Sequence, residues 1–179
     1  MQSDSHKTVL ITMLNLELPE RFPLSIVMER IKVLHGKWED ERWQASGILV
    51  GGHISSGHGP DHVIYQDALS TQTLCSGFEL KLHKDEGESY YYNLLSDHPS
   101  LFVVCRRDET DNHLFPVLVT ASYDEAAAYF ESEDEVFTVP MPAEVYRWVE
   151  AYVLQNYAPE PRRKRKRQEW HEGGGAHES

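Results

Sequence analysis

The residue types with the most chemistry to offer in this 179-residue chain fall in two places. His53, His58 and His62 follow one another as H-x4-H-x3-H, with Asp61 beside the third. Imidazoles suit zinc, nickel or copper. The flanking glycines and serines offer nothing to orient the rings, and the spacing matches no zinc signature. We therefore expect no metal centre, and these three histidines stand only as weak candidates for one. The second place is the stretch in which Trp38 and Trp43 bracket Glu39, Asp40, Glu41 and Arg42. Two large aromatics around a dense charge cluster have the composition of an interface hot spot. The same two tryptophans would equally serve as core or edge anchors, each burying a large area. Trp38, Glu41, Arg42 and Trp43 are the candidate partner-binding residues of the body.

Contiguous catalytic signatures are missing. There is no G-x-S-x-G and no H-E-x-x-H. The Gly51–Asp61 stretch, GGHISSGHGPD, matches neither phosphate-loop pattern, and no lysine follows it. Asp108, Glu109 and Asp111 sit in a polar run that lacks the central glycine of a calcium loop. Cys75 and Cys105 form no C-x-x-C and lie in separate apolar runs, so both are expected to be buried, reduced thiols. The expectation is a protein with no catalytic residues and no cofactor.

The net charge of −12 is unevenly spread. Arg162, Arg163, Lys164, Arg165, Lys166 and Arg167 form an unbroken basic run, which makes residues 161–179 net +3 and leaves the body near −15. An acidic body repels nucleic acid and anionic lipid. The basic run could engage an acidic protein face or nucleic acid, or fold back on its own body. These six cations join the candidate partner-binding set. No apolar run approaches the ~20 residues of a membrane-spanning helix. The opening residues lack a secretory cleavage pattern, so a cytoplasmic protein is expected.

These residues need elements to position them. Leu24–Leu34 and Trp43–Val50 read as strands joined by a charged connection, with Gly36 turning the chain and Gly47 a possible bulge. Val9–Leu18 is a weak strand. Leu74–Lys84 and Glu88–Leu95 read as a hairpin closed at Asp85-Glu86-Gly87, the three tyrosines Tyr90, Tyr91 and Tyr92 favouring a strand on the return. Leu101–Arg106 and Phe115–Thr120 form a second hairpin. Ser122 with Glu125 makes a capping box for a helix through Phe130. Val136–Val139 is an extended link. Pro142 opens a last helix whose Val145, Trp148, Val149 and Tyr152 form one apolar stripe. Strands first and helices last argue for an α+β fold. We expect an N-terminal segment 1–21, a single α+β domain over 22–160 and a disordered basic tail over 161–179. The domain would be an antiparallel sheet of six or seven strands, open or curled into a partial barrel, carrying two C-terminal helices.

The run Pro23-Leu24-Ser25-Ile26-Val27-Met28-Glu29-Arg30 followed by Trp38-x4-Trp43 resembles a bacterial family, a domain of unknown function often encoded beside molybdenum- or tungsten-dependent formate dehydrogenases. The likeness continues through Pro116–Ala126 and Val139–Val145 to Trp148 and the basic run. It implies a gene-neighbourhood link to formate dehydrogenase, and the expectation built on that link is a non-catalytic accessory protein that binds a formate dehydrogenase subunit or a maturation factor. The alternative is a nucleic-acid-binding or regulatory protein that works through its basic tail. The resemblance supplies no catalytic residues.

Overall fold

The computed structural model describes residues 18–36, 38–51, 61–132 and 134–159. β1 (Arg21–His35) and β2 (Trp38–Val50) form a long antiparallel hairpin turned at Gly36, whose φ of +64° is the left-handed region that glycine adopts without strain. Ser46 is the extra residue of a bulge, since Val27 pairs with Gly47 and Met28 with Ala45. β3 (His62–Gln66) and β4 (Ser70–Lys81) complete a four-stranded sheet in the order β2-β1-β4-β3. β5 (Ser100–Arg107), β6 (Leu114–Thr120) and β7 (Glu135–Pro140) make a second sheet in the order β6-β5-β7, and every pairing is antiparallel.

The α+β class holds, and among the described residues seven strands divide between two sheets instead of forming one. Alternate residues Leu24, Ile26 and Met28 of β1 enter one core with Cys75, Leu80, Leu101, Val103 and Cys105. β5 is buried on both faces, because Phe102 and Val104 point the other way, toward a helix. That helix is α2 (Tyr123–Glu131). Two further helices, α1 (Gly87–Leu94) and α3 (Ala143–Asn156), pack on each other and supply Tyr90, Leu94, Val145, Trp148, Val149 and Val153 to the common core. Val145, Trp148 and Val149 are the buried stripe that the spacing predicts, with Tyr152 half-buried at its end. Trp148 also tilts against Phe22 and donates its indole N–H to the Pro19 carbonyl at 3.0 Å, fixing the entry of β1.

Three sequence expectations about elements change. Glu88–Leu95 is not the return strand of a hairpin: a 3-10 turn (Lys84–Glu86) leads straight into α1. Tyr90 and Leu94, one helical turn apart, both bury, which outweighs the strand preference of the three tyrosines. Gly87 has an ordinary helical φ of −56°; its small size matters because the Tyr157 side chain lies 3.1 Å from where a Cβ would stand. The charged connection Trp38–Arg42 is part of β2. Val136–Val139 is a ladder strand paired to β5, not a link. Most of Val9–Leu18 and the loop carrying His53 and His58 lie outside the described residues. Among the described residues, no helix is long and apolar enough to cross a membrane.

Candidate docking surfaces

Among the described residues β2 is an edge strand, hydrogen-bonded on one side only, to β1. Two of its charges pair across the ladder. Glu39 pairs with Lys32 at 2.8 Å and Glu41 with Arg30 at 3.4 Å, both across to β1. The Arg30 guanidinium also lies 5.8 Å from the Trp43 ring centroid, within cation–π range. Trp43 is half-buried, edge-on to His113 with centroids 4.7 Å apart. Glu29, the neighbour of Arg30, turns to the opposite face, as strand alternation requires. Hydrogen bonds from Ser70 Oγ (2.7 Å) and Gln44 Nε2 (2.7 Å) hold its carboxyl below the usual carboxylate range.

The four body candidates therefore divide. Glu41, Arg42 and Trp43 line one open cleft of about 450 Å³, whose far wall carries the Arg107–Glu135 ion pair at 2.5 Å. Arg42 has no ion-pair partner among the described residues. Trp38 is outside that lining, at the start of β2, and 82% of its surface is exposed. The basic residues Arg162 to Arg167 lie outside the described residues. His62 opens β3 and is exposed. Among the described residues, no group of three His, Cys, Asp or Glu could hold a metal ion.

Cys75 and Cys105 are free and buried in the core shared by the two sheets. Burial pushes each thiol up to about 12, so neither is a nucleophile near neutral pH.

Sequence reasoning missed a second surface. Two adjoining hollows, about 400 and 260 Å³, share Phe102, Tyr123 and Thr138 and so form one groove bounded by α1, α2, β5 and β7. Its aromatic walls are Tyr92, Phe102, Tyr123 and Phe130. Tyr123 is 65% exposed and Phe130 71%. The Phe102 and Tyr123 rings meet edge to face, with centroids 5.9 Å apart. The signal was present in α2. Tyr123, Ala126, Ala127 and Phe130 fall at i, i+3, i+4 and i+7, a stripe with two small residues between large rings. Ala126 buries against the sheet, and the rings overhang as rims.

The groove's α2 wall is fixed by a shared cap. Ser122 Oγ accepts the Glu125 N–H at 3.1 Å, as the capping pattern predicts. Glu125 does not return the bond, because the Ser122 N–H goes to Thr120 Oγ1 at 3.0 Å. Ser89 of α1 supplies the other half: its Oγ accepts from the Tyr123 N–H at 3.0 Å and the Asp124 N–H at 3.3 Å. Ser122 Oγ also donates to Glu86 Oε2 at 2.5 Å. The free N–H groups of α2 are thus satisfied from α1 as well as from its own N-cap.

Residues 23–166 match the family described as a protein of unknown function, DUF3305, and the chain belongs to that family. No curated protein and no solved structure matches it.

Proposed function

We propose that this member of the DUF3305 family is a non-catalytic accessory protein that works through protein–protein contacts. Its partner in this reading is a formate dehydrogenase subunit or a maturation factor that serves one, during cofactor insertion or assembly. The observation that carries the contact role is Trp38: an indole 82% exposed on the edge strand of a four-stranded sheet. Burying an aromatic of that size contributes about 2–3 kcal/mol to association, and Trp is the residue most enriched among interface hot spots. Among the described residues the outer rim of β2 has no ladder partner, and its main-chain groups are ones that an extended partner segment can use. The cleft at Arg42 and Trp43, farther along β2, is a second candidate contact. The choice of formate dehydrogenase rests on the sequence resemblance alone.

The test is affinity capture of the tagged full chain from cells growing on formate, alongside a Trp38→Ser variant. Formate dehydrogenase polypeptides should be retained by the unaltered chain and depleted with the variant. Their absence from the first capture, or equal recovery in both, overturns the reading.

A further inference from the structure

The aromatic groove has a charge as well as a shape. Its lining carries two carboxylates, Asp124 and Glu131, and no lysine or arginine; His98 is its one imidazole. An occupant that combines cations with an apolar side chain would fit it.

The chain carries such a segment. Residues 161–170 read Pro-Arg-Arg-Lys-Arg-Lys-Arg-Gln-Glu-Trp: six consecutive cations and, three residues after them, Trp170. They begin two residues after Pro159, where the described residues end. α3 ends at Asn156, and Tyr157 packs its side chain over Gly87 at the start of α1. From there a row of rings runs toward the groove: Tyr157 to Tyr91 at 5.5 Å, then Tyr91 to Tyr92 at 5.5 Å. Tyr92 is itself a groove wall. The thirteen residues from Tyr157 to Trp170 can extend over about 43 Å. The nine-residue α2 that forms one wall is only about 14 Å long. The family match also runs to residue 166, past the end of α3 and into the basic run.

We infer that residues 161–170 of this same chain occupy the groove, with their cations against Asp124 and Glu131 and Trp170 among the exposed rings. Tethering makes the contact intramolecular, at an effective concentration on the order of millimolar, so weak individual contacts suffice. The groove is then self-covered, and any partner that uses it must first displace the basic segment.

Paramagnetic relaxation in the full chain tests this. A Gln168→Cys variant takes a nitroxide selectively, because Cys75 and Cys105 are buried. At about 0.01 M salt, where charges act over about 30 Å, the label should broaden the amide signals of Tyr92, Tyr123 and Phe130. At about 1 M, where their range is about 3 Å, the broadening should be lost. It should also be lost at low salt when Asp124→Lys and Glu131→Lys are added; both side chains are exposed, so the fold survives, as an unchanged amide spectrum elsewhere would show. Broadening that is absent from the groove, that centres on β2, or that ignores both salt and charge reversal overturns the inference.

Discussion

Asn93 and Ser100 exchange two hydrogen bonds inside the protein: the Asn93 amide nitrogen donates to the Ser100 carbonyl at 2.7 Å, and its oxygen accepts the Ser100 N–H at 3.0 Å. The same nitrogen donates to the Ala121 carbonyl at 2.7 Å. One buried side chain on α1 thus completes the backbone pairing where β5 begins and just past the end of β6. Asn93→Leu keeps the volume and leaves one N–H and two carbonyls without partners. At about 1 kcal/mol or more for each stranded group, the loss should be about 3 kcal/mol, or about 9 °C in Tm. Urea unfolding of the variant measures it; a loss below about 1 kcal/mol would mean that water replaces the amide.

The helix cap at Ser122 makes a second prediction. Ser122→Ala removes the acceptor for Glu125 N–H and the donor to Glu86, for a cost of about 2 kcal/mol. Ser89→Ala strips the Tyr123 and Asp124 N–H groups. The two hydroxyl oxygens are 3.1 Å apart, so the effects should couple. The double variant should depart from the sum of the single ones by at least about 0.5 kcal/mol. Strict additivity would show that the two serines act on α2 independently.

The cap illustrates which features a linear reading reaches. The capping spacing, the stripe of α3 and the apolar run of β5 are local patterns, and each yields its element directly. α1 is different. Tyr90, Tyr91 and Tyr92 have strand preference, and only the burial of Tyr90 and Leu94 against α3 and the core tips the segment to helix. β2 hides its first five residues because they are exposed on both faces, which leaves no alternation to read. Their strand character comes from pairing with β1, a tertiary fact.

The candidate surfaces follow the same division. Trp38 stood out in the sequence as an aromatic among charges, but its exposure is known only from the fold. That Trp43 is partly structural, packed on His113 and Arg30, depended on a loop seventy residues away. The groove was not legible: it draws Tyr92, Phe102, Tyr123 and Thr138 from four elements, one of which reads as a strand in the sequence.

The buried thiols give a pH prediction. Cys75 and Cys105 are pushed up to about 12 in the folded chain, whereas an unfolded thiol ionises near 8.5. The folded state therefore holds more protons than the unfolded one at alkaline pH. Stability from these groups is complete below about pH 8.5 and declines as pH rises toward 12. The slope should be about 1.4 kcal/mol per pH unit for each thiol in that window. Burial raises the Tyr90 hydroxyl as well, which steepens the decline further up. Urea midpoints measured from mildly to strongly alkaline pH should fall steadily. A Cys75→Ala, Cys105→Ala chain should start less stable and show a shallower fall; an identical slope would remove the thiols as its cause.

Trp38 supplies the prediction on which function and fold separate. With 82% of its surface already in water, its side chain contributes little to the folded state. Trp38→Ser should change unfolding free energy by less than about 0.5 kcal/mol. Trp43→Ser should cost more, about 2 kcal/mol, because it removes the half-buried ring that packs on His113 and lies beneath Arg30. If Trp38 is the anchor of a partner contact, the ranking reverses in binding: the Trp38 variant loses partner at intact stability, by a factor of about 30 or more for a hot spot worth 2 kcal/mol. Denaturant curves and partner titration on the same two variants decide it. A Trp38 variant that is destabilised as much as the Trp43 variant, or that binds as before, would assign the exposed indole no part in recognition.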